Sequence, residues 1–112
     1  MLAALMGSGC GASEPTNEAV VTEIERQFRA AHPEVELRRF ARFYARQNGA
    51  VEGVYSYADE GVEPMEGRVN EVVWTRLGDL PVIHEGGCGV ISISFDVKSK
   101  KLHRVECNVA DA

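Results

Sequence analysis

Residues 40–57 read Phe40-Ala-Arg-Phe-Tyr-Ala-Arg-Gln-Asn48-Gly49-Ala-Val-Glu-Gly-Val-Tyr-Ser-Tyr57, and this stretch decides the fold. From Glu34 to Arg46 and again from Val51 to Ala58 the chain is rich in β-branched and aromatic residues. Between the two runs stands Asn48-Gly49. A two-residue hairpin turn of type I′ needs positive φ at both central positions, and Asn-Gly supplies that at least cost. The turn sets Phe43 opposite Val54 and Phe40 opposite Tyr57.

Outward from the hairpin, the N-terminal side changes period. Val20, Ile24, Phe28 and Ala31 recur at helical spacing, with Val21 beside them, while Glu18, Thr22, Glu25, Arg26 and Arg29 fall mostly on the other side. That pattern predicts one amphipathic helix of about four turns. Asn17 is its expected N-cap, Glu18 suits the positive end of the dipole, and His32-Pro33 ends it. On the C-terminal side, Asn70–Leu77 reads as a third strand. Val90–Asp96 alternates Ile91, Ile93 and Phe95 with Ser92 and Ser94, and Leu102–Val109 returns after the turn Lys98–Lys101. Asp59–Gly67 and Gly78–Gly89 read as loops. The expected fold is α+β, one N-terminal amphipathic helix packed on a four-stranded antiparallel sheet.

The whole chain has 112 residues, 45% of them hydrophobic and 26% charged, which suits one globular domain. No run approaches the roughly 18 apolar residues of a membrane-spanning helix. A net charge of −5 opposes general nucleic-acid binding, which needs a basic surplus.

Three cysteines divide into one and two. The first closes Met1-Leu-Ala-Ala-Leu-Met-Gly-Ser-Gly-Cys10, followed by the small, polar Gly11-Ala-Ser-Glu-Pro-Thr16. An apolar run, small residues and then cysteine resemble the end of a bacterial lipoprotein leader, in which the thiol is lipidated before cleavage. Residues 1–16 are then a truncated leader and tether, with the true start upstream, and 17–112 the single domain. This reading expects a membrane attachment through a lipid anchor at Cys10. Gly11 rather than Asp after that cysteine favours the outer membrane. The alternative is an unprocessed N-terminus on a cytoplasmic protein.

Cys88 and Cys107 flank the last hairpin, 19 positions apart. A turn centred near Lys98 puts Ile91 opposite Val105 and Gly89 opposite Cys107, with Cys88 one residue out of register. Gly86, Gly87 and Gly89 allow the bend that a structural disulfide needs. A buried free thiol is one alternative. Another is a catalytic or metal site in which His84 and His103 join Cys88, although no paired Cys-x-x-Cys spacing exists.

Among other candidates, Arg38, Arg42 and Arg46 share a face of the first strand with Arg39 beside them. They could bind phosphate or an anionic headgroup, but read first as a solvated face answered by Glu52 and the acidic loop. Asn48 and Gly49 at the hairpin tip complete the possible binding surface. Glu60, Glu63 and Glu66 lack the apolar surroundings that would fit them for proton transfer. Trp74, Tyr44, Tyr55 and Tyr57 could line a groove, although strand aromatics are usually core. No Ser/His/Asp set can be placed, and no metal ligand set or cofactor is expected.

Trp74-Thr-Arg, Asp79-Leu-Pro-Val-Ile, Gly86-Gly-Cys-Gly-Val-Ile, Ser94-Phe-Asp and Val105-Glu-Cys-Asn108 resemble a group of small, uncharacterised exported proteins of alphaproteobacteria, many with lipoprotein-type leaders. The resemblance implies an envelope location and no known activity. A helix covered by an antiparallel sheet also resembles the cystatin-like fold. Cystatin inhibitors use a Gln-x-Val-x-Gly tip, against which Gln47 here stands two residues too far from Val51 and Gly53. The leading expectation is a non-enzymatic, periplasmic, membrane-anchored protein whose disulfide-stapled domain binds an envelope protein or small ligand. A cystatin-like protein-binding or inhibitor module is the second, and a cytosolic thiol or metal enzyme using Cys88 the third.

Overall fold

The computed structural model describes residues 15–58, 68–83 and 87–108. It contains helix α1 (Asn17–Ala31) and strands β1 (Phe40–Gln47), β2 (Ala50–Tyr57), β3 (Val72–Trp74), β4 (Val90–Asp96) and β5 (Lys101–Cys107). Single 3₁₀ turns cover Leu37–Arg39, Leu77–Asp79 and Gly87–Gly89.

The N-cap of α1 is Thr16, whose Oγ1 accepts the Ala19 N–H at 3.1 Å. Asn17, the expected cap, is the first helical residue, and its side chain instead serves Arg46. At the other end the His32 N–H reaches the Phe28 carbonyl at 2.8 Å, and the chain leaves the helix before Pro33. Val20, Ile24 and Phe28 form the buried face, joined by Glu25 rather than by Ala31, which is exposed.

The hairpin turns through Asn48 and Gly49, both at positive φ (35° and 83°). Phe40 pairs with Tyr57 and Phe43 with Val54 across β1 and β2, the register that the Asn-Gly position implies. The sheet is five-stranded and mixed, in the order β3-β1-β2-β4-β5: all five segments read as strands join it, where a four-stranded antiparallel sheet was expected. β3 lies parallel to β1 on its outer side, with Arg42 opposite Val72 and Tyr44 opposite Trp74. The expected strand Asn70–Leu77 shrinks to Val72–Trp74. The physical reason for the parallel pair is positional. β2 and β3 are antiparallel to each other, so their connection starts and finishes at one end of the sheet and needs no crossover helix; β1 simply lies between them. Short loops exclude a parallel pair only between strands consecutive in the chain.

The last hairpin is also shifted by two residues from expectation. Ile93, not Ile91, faces Val105, and Ile91 faces Cys107. A β-bulge between Ser94 and Phe95 adds His103 to β5, and the four-residue turn places Lys100 at positive φ, held by the Ser99 N–H on Asp96 Oδ2 at 2.7 Å.

Both sheet faces are covered. On one, Val20, Ile24 and Phe28 meet Tyr44, Val51, Tyr55, Ile91, Ile93 and Phe95. On the other, Ala41 and Phe43 meet Ala58, Val73 and Leu80. Gly53 sits where β2 passes Ile93: an added Cβ would lie 2.8 Å from Ile93 Cγ1 and 3.1 Å from a Tyr44 ring carbon. Ile93 is wholly buried and the Tyr44 ring is pinned by its hydroxyl, so neither has room to give. Gly53→Ala is therefore expected to cost about 1–2 kcal/mol in urea unfolding; a neutral result would show that Ile93 repacks freely.

Candidate functional site

The arginines expected to share one solvated face go to three environments. Arg38 sits in the 3₁₀ turn before β1, exposed and paired with Glu36. The Glu36 carboxyl is held below its usual range by that guanidinium. Arg42 is not a surface residue: at 4% exposure it lies between α1 and the sheet. Its Nη1 donates to Glu25 Oε1 at 2.8 Å, its Nη2 donates to Asn70 Oδ1, and its Nε has no partner among the described residues. Neither Arg42 nor Arg46 is answered by Glu52, which is on the opposite face and binds Arg104 at 3.1 Å.

Glu25, 7% exposed, is the hub of this buried network. Its Oε2 accepts the Tyr44 hydroxyl at 2.8 Å, and Arg29 approaches Oε1 at 3.5 Å. Tyr44 and Tyr55 oxygens stand 2.9 Å apart. Because Tyr44 gives its proton to Glu25, Tyr55 is the donor of that second bond. Burial pushes both phenol pKa values up, since phenolate would be stranded away from water. The network joins helix, β1 and β2, is closed to solvent, and is structural. A raised tyrosine pKa adds stability that is complete below the unfolded-state value and is lost as pH rises above it. Spectrophotometric titration is expected to find two of the three tyrosines silent until alkaline unfolding, with both appearing in that transition. Reversible native titration of all three near pH 10 would contradict the network.

The Asn48-Gly49 tip is exposed but braced, because the Gly49 carbonyl accepts the Val97 N–H at 2.9 Å. Val51 and Gly53 lie along β2, with Val51 wholly buried, so a Gln-x-Val-x-Gly tip is not displayed.

Arg46 marks the open part of the molecule. Its Nε donates to Asn17 Oδ1 at 3.0 Å and its Nη2 to the Pro15 carbonyl at 2.9 Å. The guanidinium lies 5.4 Å from the centre of the Trp74 ring, which is backed by Tyr44 at 5.4 Å. Two cavities meet at Trp74 and Asn17. One, of about 600 Å³, is lined by Arg46, Thr75, Arg76, Leu77 and Asp79. The other, of about 360 Å³, lies between α1 and β3 against Val21, Thr22 and Val72. Arg76 pairs with Asp79 at 3.0 Å on the surface, an ion pair that exchanges easily. An ionic rim, a flat ring and an apolar slot together can hold a ligand. Trp74 stood among the sequence candidates, but its union with Arg46 was invisible because an all-antiparallel sheet was expected, with no parallel place for β3 beside β1.

A second polar group was missed altogether. Ser94 Oγ lies 2.8 Å from Glu52 Oε2 and 3.2 Å from His103 Nε2. The bulge brings His103 to that position, and no spacing rule foretells a bulge. The arrangement is not a nucleophilic triad: the carboxylate accepts a hydrogen bond from the serine hydroxyl itself and does not orient the imidazole through its other nitrogen.

Cys88 and Cys107 form a disulfide with Cα atoms 4.6 Å apart. The 3₁₀ turn Gly87–Gly89, with Gly87 at φ 52°, curls Cys88 towards the end of β5. Oxidised, Cys88 offers neither a free thiol nor a metal ligand. Cys10, His84 and the acidic loop with Glu60, Glu63 and Glu66 lie outside the described residues. Among the described residues no three His, Cys, Asp or Glu side chains gather as a metal site, and no helix is long and apolar enough to cross a membrane. No family model matches this chain, and no curated protein or solved structure resembles it closely enough to count as a match.

Proposed function

We propose that this protein is a non-catalytic binding module of the bacterial cell envelope, lipid-anchored through Cys10 and held at the periplasmic side, with the outer membrane as its destination. The observation that carries the proposal is the Cys88–Cys107 bridge, whose two residues are both solvent-exposed. An exposed disulfide persists in an oxidising compartment and is reduced in the cytosol. Cys10 stands apart from that pair, behind small residues and ahead of a polar tether, where a lipidated cysteine belongs. Lipidation with several acyl chains anchors stably where one chain does not. The Trp74 groove supplies a binding surface, and the resemblance of the C-terminal half to small exported proteins points the same way.

The test is fractionation of cells making the full-length protein and its Cys10→Ala variant. Wild type is expected in the membrane fraction and the variant in the soluble periplasm, both with the bridge formed. Membrane attachment of the variant would refute the anchor. A cytosolic protein with free Cys88 and Cys107 thiols would refute the envelope location.

A further inference from the structure

All the lysines of this chain, Lys98, Lys100 and Lys101, stand within one four-residue stretch, in a protein of net charge −5. They occupy the turn between β4 and β5 and the first position of β5, and each is exposed. Ion pairs inside the domain use arginine instead: Arg26 with Glu23, Arg42 with Glu25, Arg104 with Glu52. The division has a chemical sense. A guanidinium fork holds one carboxylate in fixed geometry, whereas an ammonium on a flexible stem suits a partner of no fixed geometry.

The turn itself is held firmly. Asp96 Oδ2 accepts the Ser99 N–H at 2.7 Å, and Lys100 takes positive φ. Gln27 clasps it from α1, with Nε2 donating to the Lys100 carbonyl at 2.8 Å and Oε1 accepting the Leu102 N–H at 2.9 Å. The Val97 N–H donates to the Gly49 carbonyl at 2.9 Å, which joins the turn to the tip of the first hairpin. Two neighbouring acids are engaged within the domain: Asp96 caps the turn, and Glu23 accepts from Arg26 and Gln27.

Position points to the partner. A cavity of about 210 Å³ lies between Pro15, Ala19 and Val20 at the start of α1 and Phe95, Val97 and Lys100 about the turn, so the chain enters the domain beside the lysines. The disulfide closes the opposite end of β4 and β5. Five residues lead from Cys10 to Pro15. A tether of that length reaches at most about 18 Å, so lipid chains on Cys10 would hold the lysine end of the domain next to the bilayer.

We infer that the turn Lys98–Lys101 rests on the surface of the membrane that holds the anchor, with its ammonium groups among the phosphates of anionic phospholipids. Each lysine at such a surface favours the docked state about fivefold. The tether supplies the local concentration that so few charges lack on their own. This inference rests on the lipid-anchor reading and names the surface against which the domain lies.

Because Cys88 and Cys107 are bridged, Cys10 is the thiol open to coupling. The oxidised full-length protein is joined through Cys10 to a maleimide lipid in vesicles of phosphatidylcholine, alone or mixed equally with phosphatidylglycerol. An uncharged amine reagent then reads the turn, since it holds every lysine of the chain, and mass spectrometry reports each site. Acylation is expected to be about tenfold slower on the anionic vesicles than on the neutral ones. The difference should vanish at about 1 M salt, where the screening length is roughly 3 Å. Lys98→Gln/Lys101→Gln leaves Lys100 as a reporter, and its protection should fall below about twofold, because one charge holds the turn down far less of the time than three. Equal rates on the two vesicles, or slowing that persists at high salt, would overturn the surface contact. So would equal slowing of the uncoupled protein by millimolar inorganic phosphate, which would make the turn a site for free phosphate. Equal rates here with Cys10→Ala still released to the periplasm would remove this inference alone. Slowing here by a protein that cells leave unacylated in the cytosol would remove the anchor reading alone.

Discussion

Replacing Arg42 with methionine is expected to lower unfolding stability by about 3–5 kcal/mol, the largest effect of any single substitution considered for this chain. Arg42 and Glu25 are almost fully buried, and Arg42 Nη1 is the close partner of Glu25 Oε1. Without the guanidinium, the carboxylate keeps the Tyr44 hydroxyl and a distant Arg29, too little to offset its lost hydration. Asn70 also loses its side-chain donor, which loosens the turn that delivers the chain to β3. The double variant Arg42→Met/Glu25→Gln should recover the greater part of the loss, because the amide is neutral yet still accepts from Tyr44. Urea denaturation with unchanged m-values is the measurement. A loss below about 1 kcal/mol for Arg42→Met would mean that water reaches the pair and that it is not a buried network.

The double replacement Cys88→Ser/Cys107→Ser is expected to cost roughly 3 kcal/mol, from the chain entropy released by opening a loop spanning 19 positions. For a domain of this size that is a large share of a total near 5–15 kcal/mol. Asn108 helps the bridge to tie this end of β5. Asn108, just beyond it, donates its N–H to the Val90 carbonyl at 2.9 Å and its side-chain amide to the Ile83 carbonyl at 2.6 Å. Its loss should therefore fray the end of β5 first, with faster amide exchange at Cys107 and Asn108 than at Ile93. Reduced wild-type protein should reproduce the variant's urea midpoint. If reduction leaves the midpoint unmoved, β5 is held without the bridge and the cysteines are not a structural staple.

The sequence speaks clearly where one local rule dominates. Asn48-Gly49 admits one tight turn, and the register of β1 on β2 follows from it residue for residue. It is silent where the outcome depends on contacts between distant segments. Glu25 reads as solvent-facing from helical spacing, but Arg42 on β1 draws it inward, and each charge looks misplaced until both are seen together. The same holds for β3. Three residues carry little pattern of their own, and their place beside β1 depends on Arg42, whose side chain binds Asn70 and whose N–H binds the Glu71 carbonyl. Because β3 was not placed there, the meeting of Trp74 with Arg46, from which the candidate groove is made, could not be foreseen. The position of the turn and the bulge that adds His103 to β5 each shift the register by one residue and together move Cys107 from Gly89 to Ile91, yet the two sulfurs still meet, since the glycines around Cys88 let a 3₁₀ turn absorb the shift.

An oxidised, anchored envelope domain is tested most directly by the intact mass of the protein from its native host, with thiols alkylated before and after reduction. The predicted result is a chain beginning at an acylated Cys10 in which two alkylatable thiols appear only on reduction. An unprocessed chain with three thiols open to alkylation from the outset would contradict it.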